Sequence, residues 1–172
     1  MSSQSSYTLL AEFFRYPAAG RLELLERTLA ERNSKPAPHK LPHCAAFIQD
    51  IQRLSLSEWE ELYTSTWDLN PTAAPYIGYQ TWGENYQRGK FMAALNRALF
   101  ENNVDSDGEL PDHLIPALRY LAVASPPLPE LIEILPAALE RMIAALRKAD
   151  RNNPYLHLLE EAQQSIPLKA KG

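Results

Sequence analysis

Within five positions, Glu109-Leu-Pro-Asp112-His113 sets two carboxylates and an imidazole where the polar run Asn102 to Gly108 gives way to an apolar segment. Two accounts of this junction stay open. In one, Asp112 caps the following helix, Glu109 favours the positive end of its dipole and His113 is a surface residue of the first turn. In the other, the three groups form the polar side of a binding site. A second set, His39, His43 and Cys44, has metal-ligating atoms but lies in or beside the proline-rich connector Lys35 to Pro42, without a second ligand pair at matching spacing. Solvent-facing positions and no bound metal are the expectation there. A third feature is aromatic: Trp67 precedes, and Tyr76, Tyr79 and Trp82 stud, the stretch Asn70 to Gly83, which reads as a long ordered loop.

The motifs of common catalytic apparatus are missing. The chain holds no glycine-rich phosphate loop, no His-Glu-x-x-His, no Cys-x-x-Cys and no Gly-x-Ser-x-Gly. A helical di-iron centre would need two Glu-x-x-His pairs, and there is none. The expectation is a protein that is not an enzyme and needs no cofactor.

These residues must be positioned by helices. Six glycines against fourteen prolines, with no period-two alternation, leave little material for strands or hairpins. The patterning predicts one all-α helical-bundle domain of about seven to eight helices over residues 1–172, its core about 7–164, with a short flexible C-terminal tail. A first helix carries Leu9, Leu10, Phe13 and Phe14, starts after Ser5 or Ser6 and stops before Pro17. Ser57 and Glu60 are spaced as a capping box for a helix bearing Trp59, Tyr63 and Trp67. A long helix runs from about Tyr86 to Asn102. The longest apolar stripe, Leu131 to Leu146, is expected to kink or split at Pro136, and Asn153-Pro154 to start a last short helix.

A net charge of −4 and a pI near 5.6 argue against nucleic acid or an anionic membrane as partner. One cysteine, an N-terminus without a basic leader, and no run of eighteen apolar residues point to a soluble, cytoplasmic protein.

Three blocks, in this order, resemble one known family. They are Tyr63-Thr-Ser-Thr-Trp-Asp-Leu69, then Gly83-Glu-Asn-Tyr-Gln-Arg-Gly89 running into Met92, then Glu109-Leu-Pro-Asp-His-Leu114. They resemble the NarJ branch, the nitrate reductase delta subunit, of the NarJ/TorD/DmsD assembly chaperones. Weaker matches are Leu10 with Tyr16-Pro17 and Asn153-Pro-Tyr155, so the resemblance spans about residues 7–160. Asn85-Tyr-Gln87 departs from the usual NarJ motif, and Pro75-Tyr76 is similar to the TorD/DmsD side.

The resemblance implies an all-α cytoplasmic chaperone dedicated to a molybdoenzyme, working as a monomer or dimer. It would bind the N-terminal twin-arginine signal, or its remnant, on the apo catalytic subunit, with cofactor-biosynthesis proteins as further partners. Respiratory nitrate reductase is the first candidate client. By position, the client-peptide site would comprise Tyr63, Trp67, Leu69, Pro75, Tyr76, Tyr79 and Trp82 on its apolar side, with Glu84, Arg88, Glu109, Leu110, Pro111, Asp112 and His113 completing it. A generic helical adaptor or a helical enzyme are the competing readings. An enzyme calls for a closed apolar pocket with converging perturbed ionisable groups, a chaperone for an open groove.

Overall fold

The computed structural model describes residues 2–36 and 40–166. Among these, nine α-helices follow one another: α1 (Ser2–Phe13), α2 (Arg21–Asn33), α3 (Pro42–Ile51), α4 (Leu56–Tyr63), α5 (Ile77–Trp82), α6 (Tyr86–Glu101), α7 (Leu114–Val123), α8 (Pro129–Ala149) and α9 (Tyr155–Ser165). Helix α4 runs on into a π-helical turn, Thr64–Asp68, and a 3₁₀ turn covers Pro71–Ala73. The described residues contain no strand, in keeping with the all-α expectation.

The bundle closes by packing the ends of the chain together. Helix α1 lies against α7 and α9, α3 against α9, and α8 against α9 and the short α5. An aromatic hub sits at the centre: Tyr155, fully buried, has its ring 5.0 Å from Phe47, 5.5 Å from Trp67 and 6.1 Å from Tyr63. Its hydroxyl accepts a hydrogen bond from the Trp59 indole N–H at 3.1 Å, so the polar tip of the hub is satisfied inside the core.

Several local expectations change. Helix α1 starts at Ser2, before Ser5, since no Gly or Pro among the first residues breaks it. The capping box is Ser55 with Glu58, not Ser57 with Glu60: Ser55 Oγ accepts from Glu58 N at 3.1 Å and Glu58 Oε1 accepts from Ser55 N at 2.8 Å. Both pairs have the required spacing, and the earlier one lengthens the helix by two residues. The stretch 70–83 is not a loop throughout, because its second half is α5. Gly78 reads as a loop signal, but it is a packing residue: a Cβ there would lie 2.7 Å from Asp112 Oδ2. Pro136 leaves α8 unbroken. It lies on the exposed face, opposite the buried stripe Leu131, Leu135, Ala138, Leu139 and Met142, where a carbonyl without its helical donor can be hydrated.

No helix among the described residues is long and apolar enough to cross a membrane.

Candidate functional site

The chain has one isolated bridge among the described residues, and it builds the site. Ile77 N donates to Asp112 O at 2.8 Å and Leu114 N donates to Pro75 O at 3.0 Å, pairing Tyr76 with His113 in antiparallel sense. The aromatic stretch and the Glu109–His113 junction, over thirty residues apart in sequence, are thereby laid side by side. Helix α6 adds the third component. Asn85 caps it, its side chain accepting from Gln87 N at 2.9 Å and Arg88 N at 3.3 Å, and this starts the helix so that Arg88 points inward.

Asp112 is at the centre, with no exposed surface. Its Oδ2 accepts from Gly78 N and from Arg88 Nε, each at 3.0 Å, and its Oδ1 accepts from Arg88 Nη2 at 3.2 Å. This two-pronged pair matches the planar guanidinium fork. Arg88 is also bonded to Glu84 Oε1 at 2.9 Å and lies 5.5 and 5.6 Å from the ring centres of Tyr76 and Tyr79. Burial pulls the Arg88 pKa down, but the bonds to Asp112 and Glu84 outweigh it and leave the pKa raised.

His113, not Asp112, caps α7. Its Nδ1 accepts from Ile115 N at 3.0 Å, so the proton of the neutral ring sits on Nε2, 3.8 Å from Glu109 Oε1. Burial depresses its pKa to about 4, with Asp107 opposing, so the Glu109 contact is not an ion pair at neutral pH. The ring stands edge-on to Tyr76 at 5.2 Å. Far from being a surface residue, His113 is 4% exposed.

The fourteen residues marked out in the sequence thus divide by exposure. Trp67, Tyr63, Pro75, Arg88, Asp112 and His113 are buried, and Trp67 belongs to the aromatic hub. These residues present almost no surface to a ligand; they hold the framework, because a buried charge needs its partner and a large ring needs the core. Tyr76, Tyr79, Trp82, Glu109 and Pro111 are half-buried, while Leu69, Glu84 and Leu110 are exposed. Trp82 leans on Phe91 at 5.4 Å.

The surface beside this framework is acidic and apolar. Asp68 and Asp107 lie close enough to Glu109 to raise its pKa further, after burial, its main cause. The same Asp68, Asp107 and Glu109 surround the Tyr63 hydroxyl, whose pKa is raised chiefly by burial and then by Glu109. Tyr63 packs edge-on against the exposed Tyr16 at 5.1 Å, and Tyr16 and Leu69 line an open cleft of about 420 Å³ with Glu60 and Glu61. Sequence reasoning missed Tyr16, Glu60, Glu61 and Asp68. Of these only Asp68 lies in the π-helical turn Thr64–Asp68, a feature frequent at functional sites, and no sequence motif marks the other three. Four clefts lined by described residues are open rather than closed, one of them holding about 580 Å³.

Of the other chemistry-bearing residues, Cys44 is fully buried, contrary to a solvent-facing position, and burial pushes its thiol well up. His43 is half-buried, with Glu160 Oε1 3.6 Å from its Nδ1. His39 lies outside the described residues. The chain matches no protein-family model and no curated protein.

Proposed function

We propose that this chain is an assembly chaperone of the NarJ/TorD/DmsD type. It captures the N-terminal segment of the apo catalytic subunit of a molybdoenzyme, respiratory nitrate reductase being the first candidate. It supports molybdenum-cofactor insertion before membrane attachment or export, acts in the cytoplasm and catalyses no reaction itself. One observation carries this reading. Two blocks of the resemblance, Gly83–Gly89 and Glu109–Leu114, meet in space through Arg88–Asp112, with Tyr76, Glu84 and Glu109 beside that pair, while Tyr63 links them to the cleft that Tyr16, Leu69, Glu60 and Glu61 line. An open acidic and apolar surface suits an arginine-bearing segment that also carries apolar residues.

The test is calorimetric titration with the N-terminal peptide of the candidate client. Glu84→Gln and Glu109→Gln remove charge from the rim. Each is expected to weaken binding about twofold to fivefold, the size of a surface ion pair, and more at low salt than at high. Leu69→Ser should weaken it with no salt dependence. Absence of binding by the unaltered protein, or affinity unchanged from it in all three variants, would remove the proposal.

A further inference from the structure

At the far end of α3 the fold assembles a ligand set that the linear sequence scatters. His43, from the first turn of α3, meets His157 and Glu160 of α9, one ligand atom from each lying within 4.8 Å of the others. His43 Nδ1 is 3.6 Å from Glu160 Oε1, and Asp50, at the other end of α3, brings Oδ2 to 3.1 Å from His157 Nε2. We propose that His43, His157 and Glu160 form a site for a divalent zinc-like ion that clamps α3 to α9. This inference does not depend on the chaperone reading.

The donor chemistry selects the ion. Two imidazoles and one carboxylate suit zinc and its borderline neighbours rather than magnesium or calcium, which take oxygen ligands. Zinc bonds of about 2.0–2.2 Å put tetrahedral ligand atoms roughly 3.3–3.5 Å apart. The 3.6 Å pair is already near that spacing, and the half-exposed side chains can draw in the remainder by rotamer adjustment. His157 and Glu160 are three residues apart on one helix and so share a face.

The backbones carrying the ligands are fixed in advance. Glu161, next to Glu160 and 2% exposed, accepts hydrogen bonds from His43 N at 2.8 Å and Cys44 N at 3.0 Å, so it sets the register of α3 on α9 before any ion arrives. Asp50 is placed to orient the His157 ring. His157 and Glu160 line the open cleft of about 580 Å³, which gives an ion its path and leaves a coordination position for water. Cationic neighbours oppose binding: Arg147 Nη2 holds Glu160 Oε2 at 2.9 Å, and Arg53 and Arg151 line the same cleft. The Arg147 contact leaves Glu160 Oε1 available to ligate, and the three guanidinium groups lower affinity relative to a site without cationic neighbours.

The experiment uses the untagged full chain, stripped with chelator and titrated with zinc by calorimetry and with cobalt(II) by visible absorption. One equivalent is expected to bind, with the d–d bands of a low-coordinate cobalt centre and a zinc-dependent rise in Tm. His43→Gln and His157→Gln should each weaken binding more than about tenfold and abolish that rise, while melting of the metal-free protein stays near that of the parent. Glu160→Gln carries the same expectation and serves if a histidine variant fails to fold. No saturable binding, several weak equivalents, or affinity unchanged in these variants would overturn the proposal.

Discussion

Replacing Asp112 with Asn probes the central ion pair with the smallest change in shape. Oδ2 of Asp112 has two donors, Gly78 N and Arg88 Nε, and Oδ1 has one, Arg88 Nη2. In the better amide orientation the carbonyl of the new side chain keeps the first two, and its NH₂ faces Arg88 Nη2, donor against donor. One charge-assisted bond is lost, about 1.5–3 kcal/mol, and the guanidinium, its side chain 6% exposed, keeps only Glu84 as a charged partner. Breaking a buried pair costs about 3–5 kcal/mol. Glu84 and the retained carbonyl place the expectation at the lower end, about 3 kcal/mol. Urea unfolding followed by far-UV circular dichroism measures it: with a slope of about 2 kcal/mol/M the midpoint falls by about 1.5 M and the slope is unchanged. Arg88→Met should cost a comparable amount, and the double variant less than the sum, because each single change strands the other's partner. A loss under about 1 kcal/mol for Asp112→Asn, with additive costs in the double variant, would refute the argument that this pair anchors the junction.

His113 sets an acid limit. Its folded pKa of about 4 lies below the ordinary 6.5, so between these values the unfolded chain takes up a proton that the folded chain refuses. Stability is full above pH 6.5 and falls as the pH drops toward 4, by about 3 kcal/mol in all. His113→Asn keeps an acceptor for Ile115 N–H and should flatten this limb in urea midpoints measured from pH 7 to 4.5; an unaltered slope would place the acid sensitivity elsewhere. The two candidate capping serines are separable by thermal unfolding. Ser55→Ala should cost about 1 kcal/mol and Ser57→Ala close to nothing, and the reverse order would move the start of α4.

The all-α class and most helix seams were legible because apolar periodicity and prolines are local signals. The stripe from Leu131 to Leu146, and Leu9, Leu10, Phe13 and Phe14 of α1, fell on buried faces as read. What local pattern cannot carry is a contact between distant segments. Gly78 looked like a turn residue until Asp112, from a segment 34 residues on, explained its missing side chain. The proximity of the aromatic stretch to the Glu109–His113 junction was expected from the resemblance, but the burial of Asp112 was not, because nothing in the string Leu-Pro-Asp-His announces that Arg88 lies opposite. For the same reason His43 seemed to want a second ligand pair: His157 and Glu160 lie more than a hundred residues away.

The split between holding and presenting residues changes how any binding experiment must be interpreted. Gly78, Arg88, Asp112 and His113 contribute through geometry: they fix the bridge between residues 75–77 and 112–114, and so place Tyr76, Glu84 and Glu109 on one surface. A variant at Asp112 that loses client binding would therefore be uninformative about contact, since the same substitution releases α5 from α6 and the 112–114 segment. Contact is assigned only by residues that reach the surface and hold nothing else. Glu109 qualifies, because its carboxylate stands 3.8 Å from a neutral imidazole and anchors no helix. Glu84 qualifies less cleanly, since it is the second partner of Arg88, and its removal leaves that guanidinium to Asp112 alone. A pure charge contribution thus appears as a binding loss in Glu109→Gln without a change in melting, whereas Glu84→Gln mixes the two effects.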